Sequence, residues 1–128
     1  MFEKLKELLN YSYSPYSNFK VASIVVMKDG CEFVGVNVEN ASYGAGVCAE
    51  RSAILSAISH GYKRNDFKEM YVLTSGNRIS TSCFLCRQVM SELFEKEVPI
   101  HFYDIEGHLM DLLVKDLCPY PFDSEDLK

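Results

Sequence analysis

Two short segments hold the residues best suited to chemistry, Cys48-Ala49-Glu50-Arg51 and Cys83-Phe84-Leu85-Cys86-Arg87-Gln88. The apolar spacing that follows each predicts a helix beginning at its first cysteine. A helix N-terminus presents unpaired N–H groups and a partial positive charge, which lower a thiol's pKa and favour thiolate. Zinc is held by thiolates, so both helices would aim their first turns at one metal bound by Cys48, Cys83 and Cys86. Three cysteines leave a tetrahedral zinc one ligand short. A structural site is closed by four protein ligands, whereas a catalytic site keeps one position for water. Zinc brings the pKa of that water from about 15.7 to about 7. Glu50 falls in the same first turn as Cys48 and is the candidate proton carrier, provided it stays off the metal. Three thiolates on a divalent ion carry a net negative charge. Arg51, with the two helix ends, is assigned to offset it by hydrogen bonding a thiolate.

The C-x-x-C spacing by itself also occurs in structural zinc sites and redox centres. A fourth ligand from Cys31, Cys118 or a histidine would turn the same cysteines into a closed, non-catalytic site. Cys31 and Cys118 read as packed thiols. His60 reads as a helix-end cation, and His101 and His108 as strand and turn residues.

Those segments need a scaffold, and the chain supplies alternating elements. Phe2, Leu5, Leu8 and Leu9 predict a short amphipathic helix, and residues 11–18 a loop broken at Pro15. Val21 to Met27 and Cys31 to Val38 predict two strands joined at Asp29-Gly30, a strong hairpin signal. A loop containing Gly44 and Gly46 leads to the helix from about Cys48 to His60, stopped by Gly61. Met70 to Thr74 predicts a buried strand. The second helix spans roughly Cys83 to Lys96, burying Leu85, Val89, Leu93 and Phe94. Val98 to Tyr103 predicts a strand, Leu109 to Leu113 a short helix, and the tail from Asp123 is polar and loosely held. Strands alternating with helices after a hairpin give a single α/β sandwich on a mixed sheet.

With 128 residues, the chain has room for one domain and one sizeable core. Its 13 basic and 18 acidic residues, a net charge of −5, argue against a broad polyphosphate-binding face. The opening residues mix both charge signs, unlike a secretory leader, and no apolar run approaches the roughly 18 residues a membrane helix needs. A cytoplasmic location is the expectation, where an odd count of five cysteines suits thiols or metal ligands. No membrane or nucleic-acid partner is expected.

These residues resemble the small zinc-dependent cytidine deaminases. The resemblance runs along nearly the whole chain. Tyr13-Ser14-Pro15-Tyr16-Ser17-Asn18-Phe19-Lys20-Val21 is similar to the family's opening loop and first strand, and Asn37-Val38-Glu39-Asn40-Ala41-Ser42-Tyr43 to its nucleoside-binding segment. Cys48-Ala49-Glu50-Arg51 and Cys86-Arg87-Gln88-Val89 match its zinc motifs, and Pro121-Phe122 with Ser124-Glu125-Asp126-Leu127 its C-terminal end. The resemblance implies a three-layer α/β/α sandwich around a mixed five-stranded sheet, formed by residues 1–128 as one domain. It also implies one zinc ion per subunit and hydrolysis of cytidine and deoxycytidine to uridine and deoxyuridine in pyrimidine salvage. Glu50 would be the proton shuttle. Phe19 would pack on the pyrimidine, Asn37 and Glu39 would bind the ribose, and Tyr43 belongs to the same substrate-binding set. Phe122 would reach the ring from a neighbouring subunit of a homotetramer. A buried carboxylate–amide pair of this kind rejects ligands lacking the hydroxyl by roughly 10⁴-fold.

The chain departs from the family around the second motif. Ser82 stands where proline is usual, Phe84 and Leu85 where small residues are usual, and Val21-Ala22-Ser23 where a Gly-Ala pair is usual. These changes leave the zinc ligands untouched and bear on the shape of the pocket near the base. A related deaminase acting on a nucleoside antibiotic or on a base within RNA is the alternative enzyme. The acidic balance disfavours the polynucleotide.

Overall fold

The computed structural model describes residues 1–128. Its centre is a strand that is apolar on both sides. β1 (Val21–Met27) is buried at every position after the first, as a strand covered on both faces must be. Ala22, Ile24 and Val26 point to one face and Val25 and Met27 to the other. β2 (Glu32–Val36) returns antiparallel beside it across the Asp29-Gly30 turn, where Gly30 takes φ 94°. β3 (Phe67–Thr74) pairs antiparallel with the other edge of β1, β4 (Pro99–Tyr103) parallel with β3, and β5 (Leu109–Leu113) antiparallel with β4. The sheet is mixed, five-stranded and ordered β2-β1-β3-β4-β5.

Helices cover the two faces unequally. α1 (Phe2–Leu9) lies on one, packing Leu5 and Leu9 against Ala22, Ile24, Val26 and Leu73. α2 (Ala49–Ser59), α3 (Phe84–Leu93) and α4 (Val114–Leu117) lie on the other, around Val25, Met27, Met70, Val72, Ile100 and Phe102. This is the expected three-layer α/β/α sandwich. Fully burying one Leu or Ile contributes about 1.5–3 kcal/mol, so the larger cluster dominates the fold. No helix is long and apolar enough to cross a membrane.

α2 sits unusually close to β2. A Cβ on Gly35 would lie 2.5 Å from both the Ala49 carbonyl oxygen and the Ala53 amide nitrogen. Ala49, Ala53 and Ala57 are all fully buried and form the thin face that permits this approach. Gly61 follows α2 at φ 96°, the left-handed position that ends a helix.

Four expectations are corrected. Leu109–Leu113 is a strand and not a helix, because its backbone completes the hydrogen-bonding edge of β4; the short helix follows at Val114. α3 stops at Leu93, where Phe94 turns to extended backbone. Leu85 is 65% exposed, since α3 turns Cys86, Met90 and the adjoining Phe94 inward and leaves Leu85 on its outer side. β3 also begins earlier than expected, at fully buried Phe67, which stacks on Phe94 with ring centres 4.6 Å apart.

Candidate active site

Cys48 caps the N-terminus of α2 and Cys83 that of α3, both in extended backbone. Neither sulfur caps its own helix, so both remain available as ligands. Cys86 lies in the first turn of α3 and is fully buried. The Sγ atoms of Cys48 and Cys83 are 3.6 Å apart and those of Cys83 and Cys86 3.5 Å, with all three within 4.8 Å of one another. Tetrahedral zinc with Zn–S bonds of about 2.3 Å would set sulfurs about 3.8 Å apart. The two shorter separations match that spacing to within a few tenths of an ångström, and the third stays within 4.8 Å. Cys31, Cys118 and the three histidines lie outside this group, so the four-ligand alternative finds no donor among them.

The electrostatics of the trio also call for a cation. Cys48 is lowered to about 5, first by its hydrogen bond with Cys86 and then, against burial, by Arg51 and Cys83. Cys86 is pushed up by the neighbouring Cys48 sulfur and by burial, because a second negative charge beside the first is penalised. Arg51 Nη2 donates to Cys48 Sγ at 3.4 Å. That contact holds the guanidinium firmly protonated.

Glu50 is 5% exposed and stands apart from the sulfur trio. Burial raises its pKa, opposed by a hydrogen bond from Ser82 Oγ to Oε2 at 2.6 Å. A raised carboxyl pKa suits a group that must take up and release a proton near neutral pH.

A cleft of about 280 Å³ opens over these groups. Phe19, Asn37, Glu39, Cys48, Glu50 and Cys83 all line it. Its size is at the small end of ligand sites, which run roughly 300–1,000 Å³. Asn37 and Glu39 also hold the loop that carries Phe19. Asn37 Oδ1 accepts from Val21 N at 2.9 Å and its Nδ2 donates to Phe19 O at 2.8 Å. The Glu39 carboxylate accepts from Tyr16 N at 3.0 Å, Ser17 N at 3.1 Å and the Ser17 hydroxyl. Those bonds hold Glu39 below the usual carboxylate range, the Ser17 hydroxyl most of all.

Two expected residues stand apart. Tyr43, on a 3-10 turn at Tyr43–Ala45, is 86% exposed and lines an adjoining depression with Arg51 and Tyr16. Phe122 is 57% exposed and does not line its own chain's cleft; its carbonyl accepts from Gln88 Nε2 at 2.8 Å.

Sequence reasoning gave no role to Thr74, Ser82 or Arg87. Thr74 ends β3 on the cleft, and its buried hydroxyl has no partner in the chain. Arg87 donates to Ser82 O at 2.7 Å, Thr81 Oγ1 at 2.8 Å and Leu117 O at 3.0 Å, bracing the loop ahead of Cys83 against α4. The available signal was position, since Arg87 follows the second motif directly and Ser82 precedes it.

Residues 1–102 match the model of the cytidine and deoxycytidylate deaminase zinc-binding region. A cytidine deaminase of Halalkalibacterium halodurans is 39% identical over 116 residues, covering 91% of this chain and 86% of its own. One from Mycoplasma genitalium is 31% identical over 117 residues, covering 91% and 88%. The crystal structure of a cytidine deaminase from Burkholderia pseudomallei superposes with a TM-score of 0.90 at 39% identity, covering 94% of this chain and 95% of that one. That from Mycobacterium leprae gives 0.73 at 32% identity, covering 92% and 97%.

Proposed function

The chain belongs to the cytidine and deoxycytidylate deaminase zinc-binding family, and from that premise we propose that it hydrolyses cytidine and deoxycytidine to uridine and deoxyuridine with release of ammonia. The observation that carries the reading is a cluster of three mutually close thiols, two of them lining one cleft together with a separate, buried carboxyl. Cys48, Cys83 and Cys86 would hold zinc, which when bound would supply an acidified water for attack on the amino-bearing carbon. Glu50 would carry two protons in turn, the first from the attacking water to ring N3, the second from the hydroxyl then carried on that carbon to the departing amine. Arg51 balances the thiolate charge. Phe19 offers an aromatic face to the base, Asn37 and Glu39 take the ribose hydroxyls, and Tyr43 closes the substrate segment.

Residues 1–128 act as one domain, and the working unit is a homotetramer with one zinc per subunit and a place in pyrimidine salvage in the cytoplasm. Phe84, Leu85, Tyr120 and Phe122, all more than half exposed, supply apolar surface for subunit contact. Phe122 then completes a neighbour's cleft. A cleft of about 280 Å³ and a net charge of −5 favour a free nucleoside over a polynucleotide. Zinc-loaded protein incubated with cytidine should release one ammonia per uridine formed. Glu50→Gln should keep its zinc and lose turnover. Full activity in that variant overturns the assignment of Glu50, and no turnover by the unaltered protein overturns the function.

A further inference from the structure

A hydrogen bond reaches the proton carrier from an unexpected quarter. Ser82 is 3% exposed, and its hydroxyl is the one side-chain donor to the Glu50 carboxylate, at 2.6 Å. The members of the family that this chain resembles usually carry proline at that place, and proline has no side-chain donor and a fixed φ. Here the loop is fixed differently. Arg87 ties the Ser82 carbonyl and the Thr81 hydroxyl to the Leu117 carbonyl, across the start of α3. The brace immobilises the Ser82 backbone, so its hydroxyl meets Glu50 without further ordering. The hydroxyl engages Glu50 Oε2, and no other side chain donates to this cleft-lining carboxyl.

We propose that Ser82 is a positioning residue for Glu50, its hydroxyl clamping Oε2 so that Oε1 faces the reacting atoms. The proposal rests on Glu50 carrying the proton. A hydrogen bond that fixes a reacting group acts on the chemical step more than on ground-state binding. The effect should therefore appear in kcat and not in KM.

The test is steady-state kinetics with cytidine on zinc-loaded variants, with zinc content and circular dichroism measured on each. Ser82→Ala should lower kcat about ten-fold, the scale of one hydrogen bond to a charged group. Its KM should stay within about two-fold, and its zinc content should be unchanged. Ser82→Thr, which keeps the hydroxyl, should recover most of the loss, while Ser82→Val, nearly isosteric with it, should not. That Thr–Val comparison carries the test if Ser82→Ala fails to fold. In a Glu50→Asp background, whose shorter side chain lies beyond the hydroxyl's reach, Ser82→Ala should cost nothing further. Equal kcat for Ser82→Thr and Ser82→Val, or an unchanged kcat in Ser82→Ala, overturns the proposal. If Glu50→Gln is inactive while Ser82→Ala is fully active, only the role of Ser82 falls. If Glu50→Gln is active, the reading beneath it falls instead.

Discussion

A zinc ligand differs from an ordinary thiol by where its sulfur is held. Cys48, Cys83 and Cys86 are brought together by two helix starts, whereas Cys31 and Cys118 stay apart from them. Replacing Cys83 with Ser should therefore sharply lower the zinc bound per subunit, measured by elemental analysis, while Cys31→Ser leaves it unchanged. Thr74 makes a different case. A buried hydroxyl without a partner costs about 1–3 kcal/mol, and Val has nearly the same shape. Thr74→Val should raise the stability of the ligand-free protein by about 1 kcal/mol, or roughly 3–5 °C in melting temperature. A lower melting temperature would show that the hydroxyl is satisfied in solution.

At the scale of elements, the close approach of α2 to β2 decides where the site lies. Gly35 permits it, and α2 carries Cys48 and Glu50 at its start. A methyl at Gly35 must displace backbone, at about 1–3 kcal/mol for overpacking. Gly35→Ala should thus destabilise the protein and also lower activity by moving the first turn of α2. Gly61→Ala provides the contrast. It adds strain at φ 96° but meets open space, so it should cost about 1 kcal/mol while leaving kcat intact. Denaturant melts and kinetics on both variants separate the two effects. Equal activity in Gly35→Ala and the wild type would mean that the packing distance does not govern the site.

At the scale of the whole molecule, one pH-dependent contribution to folding stability should come from the turn between β4 and β5. Burial raises Asp104, but the His108 ring and the Glu106 and His108 amides outweigh it, and the carboxyl is held below the usual range. His108 is raised above 6.5 by that bond and by the carboxylate's charge. The Asp104 contribution is present above the ordinary carboxylate pKa and lost as pH falls through its lowered one. The His108 contribution is complete below about 6.5 and lost as pH rises through its raised value. The pair should stabilise the turn between those limits, and His108→Gln should remove the alkaline flank. Nuclear magnetic resonance titration of His108 checks the direction, and a midpoint below 6.5 would contradict it. Removing zinc from the folded protein should lower its melting temperature, since a ligand held only by the native state adds stability.

The residues alone determined the metal chemistry and most elements. Helix starts at Cys48 and Cys83, the Asp29-Gly30 hairpin and the apolar run of β1 are local patterns with local causes, and the opening helix followed from four apolar positions. What the chain could not display was anything depending on distant partners. Leu109-Met110-Asp111-Leu112-Leu113 has no period that separates helix from strand, and only the unpaired edge of β4 makes it a strand. Leu85 looked like core because α3 is amphipathic, but which arc of a helix is buried depends on what packs against it. Ser82 read as a departure from a motif until folding set its hydroxyl against Glu50, 32 positions away. Side-chain chemistry is written in the residue types, but hydrogen bonds between remote segments exist only once packing has fixed their distances.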